Sequence, residues 1–159
     1  MNTELRPETD DDIPFLLGLY GSTRADELAM APWTDEQKQA FVRSQFGYQR
    51  THYRRFYLDA SFDVILIAGC PAGRLYVHRQ PDSIHIIDIT LLPEYRRQGV
   101  GRALIEALQQ EAERQRKVVS IHVEHFNPAR RLYERLGFQT AGEPGPVYLY
   151  MEWRPDTLE

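Results

Sequence analysis

The chain is 159 residues long, 42% hydrophobic, 26% charged and 11% aromatic, with a formal net charge of −4. That mixture excludes a disordered chain and suffices for one domain with a sizeable core, while the negative balance weighs against nucleic acid, whose phosphates draw on clustered cations. Cys70 alone cannot close an intrachain disulfide, the start MNTELRPETDDD lacks the basic-then-apolar order of a secretory leader, and no apolar run approaches the ~18 residues of a membrane span, so a cytoplasmic protein acting away from membranes is expected.

Leu5 to Pro7 reads as the end of a first strand. Behind the acidic TDDD, Ile13, Leu16, Leu17 and Tyr20 recur at helical spacing, with Asp12 in the capping position and Gly21 as the stop. Residues 22–33, STRADELAMAPW, show no clear period. Thr34 and Gln37 match a capping box that opens a second helix, and Phe41, Tyr48, His52 and Phe56 lie near one stripe of it. In RTHYRRFY this spacing turns the aromatics inward and leaves the arginines solvated, which is plainer than a single-strand binder.

Three strands follow: FDVILIAG (62–69), GRLYVHR (73–79) and IHIIDITLL (84–92), separated by turn residues and read as an antiparallel meander. Cys70 falls in the first turn, with no sign of a partner base. Val100, Ala103, Leu104, Ala107, Leu108 and Ala112 then form one apolar helical stripe. VVSIHV (118–123) is another strand. In NPARRLYERLGF (127–138) Asn127 caps a helix, Pro128 takes its first turn and Gly137 ends it, and VYLYMEW (147–153) is the last strand. There is no repeat or linker, so residues 1–159 make a single α+β domain.

Gly99 and Gly101 stand at the mouth of the third helix, where each costs roughly 0.5–1 kcal/mol against alanine if helical. A strand, a tight turn, glycines and a helix start together present unpaired N–H groups at a positive helix end, the arrangement that receives a phosphate. A Walker A loop requires lysine and a hydroxyl residue after the last glycine, where Arg102 and Ala103 stand; a dinucleotide fingerprint requires a small residue where Leu104 stands. What the residues do match is Arg96-x-x-Gly99-x-Gly101 directly after a strand ending in Leu91-Leu92-Pro93.

This motif resembles that of the GNAT superfamily of N-acetyltransferases: Arg or Gln, two residues, Gly, any residue, Gly or Ala. NPARRLYERLGF is similar to the superfamily's second signature, and LRPETDDD to its usual first strand and helix entry, so the likeness covers nearly the whole chain in order. The glycine that commonly follows the motif arginine is replaced by Arg97. The resemblance implies an α/β/α layering in which a mixed, mostly antiparallel sheet of six to seven strands is flanked by about four helices and splays at the fourth and fifth strands. It also implies acetyl-coenzyme A as cosubstrate, with the amides of Arg97, Gln98, Gly99, Val100, Gly101 and Arg102 holding its pyrophosphate, helped by the side chains of Arg96, Arg97 or Arg102. Leu91 and Leu92 would pair their backbone with the pantetheine arm, and the Leu91 N–H would face the thioester carbonyl. Tyr133 matches the tyrosine that protonates the departing thiolate. Its helical stripe with Ala129, Leu132 and Leu136 equally suits a core residue, and Asn127 could combine capping with coenzyme contact.

Acetyl transfer to an amine also needs the amine neutral, and an alkyl ammonium has a pKa of about 10.4. Asp88 is the first candidate base, because a carboxylate in an apolar strand requires a reason; a salt bridge to an arginine is the other reason. His85, His122 and Glu124 are the remaining candidates, and many such enzymes are assigned no dedicated base. A spacing of three on an extended strand sends His85 and Asp88, or His122 and His125, to opposite faces, which disfavours metal. By the same resemblance the acceptor lies over residues 22–34, with Glu27 and Trp33 as its neighbours. Direct transfer to a primary amine of a small molecule or peptide is expected, with a homodimer left open and a non-catalytic acyl-coenzyme A sensor of the same fold as the alternative.

Overall fold

The computed structural model describes residues 2–156 and 158. Strand β1 (Thr3–Pro7) leads through a 3-10 turn at Asp10–Asp12 into helix α1 (Ile13–Ala29), and α2 (Asp35–Phe56) follows. Asp12 occupies the N-cap position of α1, but its carboxylate turns back to the Thr9 N–H and to two hydrogen bonds from Arg6, all at 2.8 Å. The Arg6 guanidinium holds the Asp12 carboxyl below the usual range, at about 2.

Gly21 does not stop α1, which runs on to Ala29. Ala25, Glu27, Leu28 and Ala29 are strong helix formers, Leu28 is buried, and one interior glycine costs only about 0.5–1 kcal/mol. Thr34 and Gln37 do form the capping box of α2, at 3.1 and 2.9 Å. The inward face of α2 differs from expectation: Phe46 is buried and Tyr53 and Tyr57 are half-buried, while Tyr48, His52 and Phe56 are exposed. Both faces carry aromatics at helical spacing, so the period does not choose between them. The sheet takes the face whose polar members find partners: Gln49 bonds Arg74, and Arg50 reaches Glu8. Nor is every arginine solvated, since Arg54 also binds Glu8 and lies 4.1 Å from the Phe62 ring.

Strands β2 (Ser61–Ile67), β3 (Cys70–Arg79) and β4 (Ser83–Leu91) form the expected meander; helix α3 (Val100–Gln115) then crosses over to β5 (Val118–Glu124), parallel to β4. Helix α4 (Ala129–Arg135) and strands β6 (Gln139–Thr140) and β7 (Tyr148–Trp153) complete a sheet of order β1-β2-β3-β4-β5-β7-β6. The result is the α+β architecture described above, with seven strands, four α-helices and a single parallel junction among the described residues.

Two irregularities shape the middle of this sheet. β4 and β5 pair only from Ser83–Val118 to Ile86–Ile121, so their C-terminal halves diverge. In the β3–β4 ladder Tyr76 pairs with Asp88 and Val77 with Ile86, leaving Ile87 as the extra residue of a bulge. The bulge resets the alternation, so that His85 and Asp88 face the same side, toward α1 and α2, contrary to the opposite faces expected of a regular strand. Among the described residues no three His, Cys, Asp or Glu side chains converge as metal ligands.

The main core lies on the other side, where Ile84, Ile86, Val119, Ile121, Leu149 and Met151 of the sheet meet α3 and α4. Each such side chain, fully buried, contributes roughly 1.5–3 kcal/mol. α3 buries Val100, Ile105, Leu108, Gln109 and Ala112, while Ala103 and Ala107 face out. Alanine counts as apolar in a pattern yet is too small to demand burial. Gln109 earns its buried place by donating to the carbonyl of Leu136, the residue that ends α4, at 2.9 Å.

Candidate active site

The site begins where β3 and β4 are drawn unusually close. A Cβ on Gly73 would meet the Thr90 carbonyl oxygen at 2.1 Å, so only glycine fits opposite Leu91. The Leu92 N–H donates to the Ala72 carbonyl at 2.8 Å, and by the alternation of an antiparallel ladder Leu91 therefore turns its own N–H and carbonyl away from β3. Both groups face the gap left by the divergence of β5. Arg96 Nε closes on that carbonyl at 3.0 Å, which leaves the N–H as the open donor.

Beyond Leu92 a 3-10 turn at Pro93–Tyr95 brings the chain to Arg96, and Gln98 braces the loop by donating to the Glu94 carbonyl at 2.8 Å. Arg97 has φ +63° and Gly99 φ +83°. A non-glycine residue in this left-handed region costs of order 1–3 kcal/mol, which explains why glycine is common at position 97 of the motif. The first helical bond of α3 runs from the Ala103 N–H to the Gly99 carbonyl, so the N–H groups of Val100, Gly101 and Arg102 lack intrahelical partners. A Cβ on Gly99 or Gly101 would meet nothing within 4 Å, so the space before the turn is open. Free amides, open space and the side chains of Arg96, Arg97 and Arg102 suit a diphosphate.

Across the gap stands α4. Pro128, not Asn127, holds its N-cap position, and Asn127 stands one residue earlier, its side chain accepting from the Ala129 N–H at 2.9 Å. Tyr133 is 4% exposed, its ring 5.8 Å from that of Phe138, and its hydroxyl has no hydrogen-bond partner among the described residues. Burial pushes its pKa up and the Asp88 charge acts in the same direction, so Tyr133 stays protonated at neutral pH.

The opposite wall is built by β3, β4, α1 and α2. Asp88 has both oxygens engaged: one forms an ion pair with Arg74 and the other accepts from the Thr90 hydroxyl at 2.7 Å. Arg74 is itself 2% exposed, donates to Gln49 at 2.7 Å, and keeps Nε and Nη1 unpartnered. His85 bonds Ser120 at 2.8 Å and stacks on Tyr57; burial, then neighbouring His122 and His78, lower its pKa to about 4, so it is neutral near pH 7. Glu27 is not a free charge, because it is paired with Arg24 one helical turn away. Trp33, 42% exposed, packs on Phe41 at 5.3 Å.

Tyr148 of β7, unnoticed in the sequence, is half-exposed beside Glu124; burial and then the Glu124 charge raise its pKa, while Arg24 opposes them. Arg74 was also missed, although an arginine inside the alternating stretch GRLYVHR was the available signal.

Residues 22–138 match the model of the Acetyltransferase (GNAT) family. Among solved structures the fold is similar to that of PaiA N-acetyltransferase from Thermoplasma acidophilum in complex with coenzyme A (TM-score 0.71, 16% identity, 97% of this chain and 99% of that one). It is also similar to Ard1 from Thermoplasma volcanium (TM-score 0.63, 20% identity, 98% and 99%). The ribosomal-protein-S18-alanine N-acetyltransferase from Escherichia coli is a third such structure (TM-score 0.62, 21% identity, 99% and 99%). At these identities the likeness is one of fold. No curated protein matches the sequence.

Proposed function

The chain belongs to the GNAT acetyltransferase family, and from that premise we propose that it moves an acetyl group from acetyl-coenzyme A directly to a primary amine of a small molecule or peptide, both bound at once. The observation that carries this reading is the gap between β4 and β5, which has an open Leu91 N–H beside it and a free helix mouth at its end, with the buried Tyr133 of α4 near enough to feel the Asp88 charge.

In this reading the amides of Val100, Gly101 and Arg102, with Arg96, Arg97, Gln98 and Gly99 around them, hold the diphosphate. Leu91 and Leu92 receive the pantetheine arm as a further strand, and Asn127 flanks it. The Leu91 N–H points at the thioester oxygen and stabilises the negative charge that develops there; one such donor is typically worth about 2.7–4 kcal/mol. The amine attacks the carbonyl carbon, the C–S bond breaks, and Tyr133 gives its proton to the departing sulfur, regaining one from the attacking nitrogen through solvent. Asp88, shared between Arg74 and Thr90, acts here as a fixed negative charge behind the amine. Trp33 forms the outer wall of the acceptor site, and Glu27 contributes only through Arg24.

The test is release of coenzyme A thiol from acetyl-coenzyme A over a panel of amines, beside the thermal shift that coenzyme A produces. Wild type should turn over at least one amine. Tyr133→Phe should lose roughly 10²–10⁴-fold in rate with the thermal shift unchanged. A thermal shift without turnover of any amine would favour a non-catalytic acyl-coenzyme A sensor; no shift at all would remove the assignment.

A further inference from the structure

On the side of the sheet that carries α1 and α2, the gap between β4 and β5 opens as a groove, and His122 and Glu124 of β5 with Tyr148 and Tyr150 of β7 lie side by side along its β5 edge. The His122 and Tyr150 rings are 5.1 Å apart, and Tyr148 is 51% exposed. Glu124 lies past Ile121, the last residue of β5 paired with β4, so it stands at the open end of the gap in one cross-strand row with Tyr148.

The other charges around this groove are already matched. Asp88 is held by Arg74, and Glu27 by Arg24. Glu152 lies 3.7 Å from Arg154 and accepts from the Tyr150 hydroxyl at 3.0 Å. Glu124 is exposed and has no cationic partner among the described residues. The groove therefore combines one uncompensated carboxylate with tyrosine and histidine rings, a pairing that favours an organic cation.

We infer that the acceptor bound in this groove is an alkylammonium-type cation with no carboxylate beside its amine, and that Glu124 selects it. The inference rests on the acetyl-transfer reading for the position of the thioester, but the selectivity belongs to the groove itself. A free amino acid would bring its own carboxylate against Glu124, whereas a diamine, a lysine-like side chain or a peptide terminus would not. Glu124 captures the amine in its charged form at the mouth, and the amine loses its proton to water before attack.

The experiment is calorimetric titration of 1,4-diaminobutane, alaninamide and alanine into the full chain, with and without saturating coenzyme A. Alaninamide and alanine differ only in replacing the carboxylate by an amide. Wild type should bind the diamine and alaninamide about tenfold more tightly than alanine. Glu124→Gln should level the series, and Glu124→Lys, exposed enough to leave folding intact, should invert it. Equal binding of alanine and alaninamide by wild type, an unchanged order in both variants, or no binding of any amine would overturn the inference. Should the protein rank the amines as expected yet bind no coenzyme A, the acetyl-transfer reading fails and the groove assignment stands.

Discussion

Arg74 and Asp88 allow a sharp test of what a buried ion pair does in this fold. Arg74 is 2% exposed and its partner's side chain 16%. Two of the three guanidinium nitrogens, Nε and Nη1, have no partner, and each orphaned donor costs about 1–3 kcal/mol. Breaking a buried pair from one side typically costs about 3–5 kcal/mol, whereas replacing both members by apolar residues is often neutral or stabilising. Arg74→Met should fall at the low end, about 3 kcal/mol, because Asp88 keeps the Thr90 hydroxyl and some solvent. Asp88→Asn should cost about 4 kcal/mol or more, since it strands a fully enclosed cation. Arg74→Met with Asp88→Leu should return to within about 1 kcal/mol of wild type. Urea unfolding followed by circular dichroism measures all three, and for a chain of this size 3 kcal/mol corresponds to roughly 6–12 °C in Tm. If either single variant loses less than about 1 kcal/mol, or the double variant is as unstable as the worse single one, the pair is not the sealed, poorly satisfied unit described here.

Gly73→Ala should destabilise by about 2–3 kcal/mol or more and depress acetyl transfer, because a Cβ 2.1 Å from the Thr90 carbonyl must push the Thr90–Leu91 segment aside; urea melts and the thiol assay would both register it, and a silent substitution would refute the close approach. His85 governs the first stage of acid sensitivity. Its pKa falls from 6.5 to about 4 on folding, so the stability it contributes is complete above about pH 6.5 and is lost as the pH drops through 4, a range of roughly 2–3 kcal/mol. Stability measured between pH 7 and 4 should decline less in His85→Gln than in wild type. Asp12, lowered from 3.8 to about 2, adds its loss only below that window, and Asp12→Asn should therefore remove dependence between pH 4 and 2 alone.

Much of the fold was legible because its signals are chemical and local. The capping box at Thr34, the glycine-bearing turn before α3 and the Asn127-Pro128 entry to α4 each announce themselves through residues with few other uses. The features that escaped are those in which two patterns compete or none is written. α2 carries aromatics on two faces, and only the partners waiting at Glu8 and Arg74 decide which is buried. Ala103 and Ala107 imitated a stripe that Ile105 and Gln109 occupy. The bulge at Ile87 leaves no compositional mark at all, since isoleucine is as natural in a regular strand; yet without it His85 and Asp88 are assigned to opposite sides. For the candidate site, the cradle and Tyr133 could be named from their motif, whereas Arg74, Gly73 and Tyr148 acquire meaning only from what lies across the sheet.

The extra residue in β4 also divides that strand into two stretches with separate duties. Before Ile87 the chain is stitched on both edges and shares the fate of the scaffold; after it, one edge is bare and the side chains answer to whatever enters. Side chains beyond Ile87 can thus be exchanged at less cost to the scaffold than Ile84 or Ile86, except where, as at Asp88, one is tied to a buried partner.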